Sequence, residues 1–124
     1  MDTKYGYKAE DWKAAKEEMR QILVEQASLR GMIPYSDLVS QIETIRMEPD
    51  SFALAHMLGD ISEEDAAGRG MLSVIVVHRD GDIQPGPGFF QWAKKLGRDT
   101  SDKTTCWVEE LRRVHKHWGN ARST

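Results

Sequence analysis

The chain has 124 residues, 40% of them hydrophobic and 30% charged, with a formal net charge of −3. That length supports one domain with a single core and excludes two, and no apolar run approaches the ~18 residues of a membrane span. The start of the chain has no apolar stretch of signal-peptide type, and the single cysteine, Cys106, leaves no internal disulfide, so a cytoplasmic protein with no membrane partner is expected.

Residues 1–7 read as a loose lead-in. Glu10 and Asp11 open a first helix, because acids suit its positive end. Trp12, Ala15, Met19, Ile22, Leu23 and Ala27 recur at helical spacing, and Gly31 marks the stop. Met32 and Ile33 are a short extended piece, held out of the helical region by Pro34. A second helix is expected over Ser36 to Ile45, capped by Ser36, with Leu38, Val39, Ile42 and Ile45 on its buried side. After a break at Pro49, Asp50 or Ser51 caps a third helix carrying Phe52, Leu54, Ala55, Leu58 and Ile61. That helix either continues through Ser62 to Ala67 or restarts at Ser62, and Gly68 and Gly70 end it.

Met71 to His78 is an apolar, β-branched run and reads as a strand. Asp80-Gly81 is a hairpin-turn signal, and Ile83 starts a short return strand limited by Pro85 and Pro87. Gly88 begins a fourth helix with Phe89, Phe90, Trp92, Ala93 and Leu96, which Gly97 ends. Ser101 or Asp102 caps a fifth helix lined by Trp107, Val108, Leu111, Val114, His115 and Trp118, followed by a frayed tail. The fold class is therefore mainly α with a small β-hairpin. The order of elements is that of a winged helix, in which the third helix is the recognition helix and the hairpin is the wing. Residues 8–97 would form this core, and residues 98–124 a C-terminal helix and tail.

The stretch IPYSDLV (33–39) resembles the TYGDIA opening of the C-terminal domain of O6-alkylguanine-DNA alkyltransferases and alkyltransferase-like proteins. LAHMLGD (54–60) is similar in shape to that family's VGxALG helix ending. SVIVVHRDG (73–81) stands where the family has its PCHRVV strand and turn, and GFFQWAKKLG (88–97) looks like its next helix. The resemblance covers residues 33–97 at the level of pattern, and implies a winged-helix fold and DNA binding. It also places the family's nucleophilic cysteine on Ser73, its histidine neighbour on Val74, the following arginine on Ile75, and the helix arginine that enters the duplex on Phe52. Without a thiolate, alkyl transfer is excluded.

Charge is unevenly spread. Residues 1–31 are neutral overall, residues 32–71 carry two basic and eight acidic side chains, and residues 72–124 carry nine basic and six acidic. A duplex-binding surface therefore draws on Ser36, Ser51 and His56 around the recognition helix. It adds His78 and Arg79 on the wing, and Lys94, Lys95 and Arg98 as phosphate anchors. The acids in the middle third favour a different use of the same fold. Asp60, Glu63, Glu64 and Asp65 would form a surface for a basic protein partner, or a DNA-mimicking inhibitor. The corner QPGPG (84–88) has no phosphate-loop spacing, and its two prolines remove backbone donors, so it reads as a stiff bend. His115 and His117 are two apart on a helix and point to different faces, so no metal site is expected. No nucleophile–base or cofactor constellation emerges. The expected function is a noncatalytic DNA-binding protein with no cofactor, either a regulator or a component of phage or mobile-element biology. The alternative is the protein-interaction module.

Overall fold

A computed structural model describes residues 3–4, 6–48, 51–77 and 87–121. These described residues are mainly helical, with five helices, a two-stranded antiparallel sheet and a small parallel one. The lead-in is more ordered than its composition implies. β1 (Thr3–Lys4) pairs antiparallel with β2 (Tyr7–Lys8), and Gly6 between them takes a φ of 86°. The Tyr7 hydroxyl donates to the Arg46 carbonyl at 3.0 Å.

α1 spans Ala9–Ser28, with Glu10 and Asp11 in its first turn and Trp12, Ala15, Met19, Leu23 and Ala27 buried along one stripe. The left-handed residue that closes it falls one position before the expected glycine. Arg30 takes the left-handed φ of 56°, its N–H donates to Ala27 O, and the Gly31 N–H donates to Gln26 O, both at 2.9 Å. Two such bonds satisfy carbonyls that the last turn would otherwise leave open.

β3 (Ile33–Pro34) pairs in parallel with β4 (Val76–Val77), Ile33 opposite Val76. α2 is shorter than its apolar spacing suggests. It covers Tyr35–Ser40, so Ser36 lies inside the first turn and Pro34 takes the cap position without a side-chain bond. Ile42 and Ile45 are buried, but from an irregular segment. The reason is Glu18 on α1. Its carboxylate accepts from the N–H groups of Glu43 (3.0 Å) and Thr44 (3.2 Å) and from the Thr44 hydroxyl. Those donors would otherwise continue the helix. The segment joining α2 to α3 is thus longer than the turn of roughly 3–4 residues in a tight helix-turn-helix.

α3 is one helix, Phe52–Arg69, with no restart at Ser62. Ser51 caps it, its side chain accepting from the Leu54 N–H at 3.1 Å. Gly70 ends it at φ 89°, and a Cβ there would sit 2.7 Å from Val114 Cγ2. The run expected as a strand from Met71 to His78 is instead a 3-10 turn at Leu72–Ile75 leading into the two residues of β4. Three of its backbone groups are taken up by side chains rather than by a ladder. The Met71 N–H donates to Glu110 (2.7 Å), the Ser73 N–H donates to Ser62 Oγ (3.2 Å), and the Val74 carbonyl accepts from the Trp107 indole (3.0 Å). α1, α3 and α5 all pack on this turn, so it lies at the centre of the core.

The Asp80-Gly81 hairpin, Ile83 and residues 84–86 of the Pro/Gly corner lie outside the described residues. α4 is Pro87–Lys95, with Phe89 and Ala93 buried, and α5 is Lys103–Ala121. Asp102 caps α5, its carboxylate accepting from the Thr105 N–H at 3.0 Å. The buried side of α5 runs through Cys106, Glu110 and Val114. The expected Trp107, Val108, Leu111, His115 and Trp118 flank it, half-buried.

Candidate functional site

The first turns of α3 and the end of α4 meet on one face. Gly59 makes the meeting possible: a Cβ on it would lie 2.0 Å from Trp92 Cε2, so the missing side chain is the seat of the indole. Phe89 and Ala93 hold the other side of α4 in the core. Four side chains then form a chain of contacts. The Phe52 and His56 rings are 4.4 Å apart, the His56 and Trp92 rings are 6.4 Å apart edge-on, and Lys95 Nζ lies 4.4 Å from the Trp92 ring centre. Lys94 is exposed beside Lys95. Phe52 is 72% exposed, while most of the large hydrophobic residues pack inside.

The other expected contact residues are distributed differently. Ser36 is exposed in α2, and the Ser51 oxygen is engaged as the α3 cap. His78 and Arg79 lie outside the described residues. Arg98 is committed inward. Its Nε donates to Glu110 Oε1 at 2.7 Å and its Nη2 to Glu110 Oε2 at 3.2 Å, which raises its pKa further above the ordinary guanidinium value. Glu110 itself is 1% exposed and also accepts from Arg113 and from the Met71 N–H. In sequence it passes for one of several acids alternating with bases on a solvated helix face.

Of the acidic group, Asp60 is half-buried on α3, Glu63 is exposed, and Glu64 is exposed but lies 3.1 Å from Lys16 Nζ. The side chain of Asp65 lies outside the described part of the structure. Part of the middle-third acidity is therefore offset by α1. An open hollow of about 360 Å³ between α1 and the segment after α2 is lined by Glu18, Gln21, Glu25 and Glu43 among others, a lining that repels phosphate.

Ser73, where the resemblance places the family's nucleophile, and the single cysteine are both buried. The Ser73 hydroxyl is buried and accepts from the Ser62 hydroxyl at 2.7 Å. Cys106 is 5% exposed, and burial, then the nearby Glu110 carboxylate, push its thiol pKa up, away from the reactive thiolate. His115 Nε2 bonds the Gly31 carbonyl at 3.0 Å, tying α5 to the end of α1.

Phe52 and Trp92 stand on apolar stripes in the sequence, yet Phe52 faces water. Helical arithmetic carries the signal: Phe52 is two residues from Leu54 and four from His56, so it shares the face of His56 and opposes that of Leu54. Compared with known proteins, the chain matches no family model, no curated protein and no solved structure.

Proposed function

We propose that this chain is a noncatalytic nucleic-acid-binding protein of winged-helix type, which contacts double-stranded DNA through the first turns of α3 and the end of α4. The observation that carries this reading is the gathering of Phe52, His56, Trp92 and Lys95, from two separate helices, onto one face, with Lys94 exposed next to Lys95 in the last turn of α4. A lysine charge beside exposed rings offers contact to a phosphate backbone. The order of helices, with a two-residue parallel pairing between the first connection and the chain after α3, supports the winged-helix assignment.

The test is fluorescence anisotropy of a labelled mixed-sequence duplex at low and then moderate salt. Binding should weaken steeply with salt. The Lys94→Glu, Lys95→Glu double variant should lose most of it, and removing two phosphate contacts should flatten the log–log salt slope by about 2. A flat titration at low salt would overturn the reading. It would then favour the second one, a surface for a basic protein partner around Asp60, Glu63 and Glu64, for which the exposed carboxylates of Glu63 and Glu64 speak.

A further inference from the structure

Phe52 is the residue whose exposure the fold least explains. Leaving its ring in water forgoes a burial worth about 2 kcal/mol. The ring does not hang alone: His56 stands against it at 4.4 Å, His56 meets the edge of Trp92, and Trp92 is pinned by Gly59 beneath and Lys95 above. The result is a supported aromatic ridge with the Lys95 charge at one end.

The charges further along α3 limit what can lie on the ridge. Asp60 is one turn beyond His56, and Glu63 and Glu64 occupy the next. A duplex laid along α3 would bring its phosphates over the exposed Glu63 carboxylate. A flexible single strand need only cross the first turn of α3 and the end of α4, placing one base on the Phe52 ring and a neighbouring phosphate toward Lys95. Every base has a π-face, so such a platform takes unpaired bases without reading their sequence. A paired base offers no free face to it.

Resting on the nucleic-acid reading above, we propose that the preferred ligand of this face is a nucleic acid with unpaired bases, one of which stacks on Phe52. Single-stranded DNA then binds more tightly than the duplex of the same sequence.

The experiment is a pair of anisotropy titrations, single strand and duplex, on the intact chain and on Phe52→Ala, Phe52→Leu and Phe52→Trp. Phe52 is 72% exposed, so these variants should keep the native circular dichroism spectrum and unfolding midpoint. The single strand should bind several-fold tighter than the duplex. Phe52→Ala and Phe52→Leu should lose about tenfold for the single strand, the size of one base–aromatic stack, and Phe52→Trp should keep the intact affinity. A 2-aminopurine base in the strand should be quenched on binding by the intact chain and not by Phe52→Leu. If the duplex binds as tightly as the single strand and Phe52→Ala changes nothing, the stacking proposal falls while duplex binding stands. If Phe52→Leu binds the single strand as well as the intact chain, an apolar contact has replaced the ring stack and the proposal also falls. If neither nucleic acid binds, the proposal and the reading beneath it fall together.

Discussion

Glu110 accepts hydrogen bonds from Arg98, from Arg113 and from the Met71 backbone, from a position only 1% exposed. A carboxylate so deep is tolerable only because its lone pairs are filled and its charge is opposed. Its two arginines are less buried, at 22% and 41% side-chain exposure, so they can rehydrate when it is removed. The Met71 N–H cannot. Glu110→Ala should therefore cost about 3 kcal/mol, from the orphaned backbone donor and the lost charge-assisted bonds. Glu110→Gln keeps the volume and an acceptor for Met71 and should cost less than half as much. Equilibrium urea unfolding of the two variants measures this. Equal midpoints for Glu110→Ala and the intact chain would show that the buried carboxylate does not hold α5 to the centre of the core.

At the scale of elements, Gly59 and Glu18 each fix one helix or loop on another. Gly59→Ala would ordinarily stabilise the interior of a helix by about 1 kcal/mol. Here the new Cβ would meet the Trp92 indole at 2.0 Å. Displacing a ring held between two helices costs about 1–3 kcal/mol, so the variant should be destabilised on balance, and a rise in the urea midpoint would show that α4 is not seated there. Glu18 holds the segment after α2 through Thr44 and Glu43. The Thr44 side-chain bond, helped by the two backbone N–H groups, draws its pKa below the ordinary 4.5. A carboxyl group lowered in the folded state stabilises in full above its unfolded value and loses that contribution as pH falls through the folded one. Glu18→Gln should thus be less stable than the intact chain at neutral pH, and the gap should close as pH drops below about 4. Urea midpoints across that range decide it; a gap that stays constant with pH would assign the difference to shape rather than charge.

The same two residues show what the sequence could disclose. α1 announces itself through its acidic first turn, α3 and α5 through their caps, and all three through periodic apolar residues, because those signals act within a few positions. The end of α2 depends on Glu18, 25 and 26 residues before the donors it takes. The 3-10 turn at Leu72–Ile75 depends on Ser62, Trp107 and Glu110, contributed from 11, 33 and 39 residues away. A run of buried β-branched residues is the same string whether it forms a ladder or not. At the site, Phe52 and His56 were readable as one helix face, whereas Trp92 joins them only once Gly59 has brought α4 onto α3.

For the whole molecule, the question is whether residues 98–124 decorate a core ending near Gly97 or belong to it. α5 packs along α1 and on the central turn. It supplies Glu110 to the Met71 N–H, the Trp107 indole to the Val74 carbonyl, and His115 to the Gly31 carbonyl, while Val114 closes over Gly70. Removing it would bare the apolar stripe of α1 and leave polar backbone of the 3-10 turn without partners, each such group costing about 1–3 kcal/mol. A domain of this size has a total stability of only about 5–15 kcal/mol, so these losses are enough to consume it. A chain ending after Gly97 should therefore show reduced helical circular dichroism and no cooperative urea transition, and adding residues 98–124 as a separate peptide should not restore the intact midpoint. A cooperative transition in the shortened chain would mean that α1, α3 and the parallel pair hold one another without α5. Its buried carboxylate would then serve to dock an appendage, and the α3–α4 face would remain assembled in a core of 97 residues.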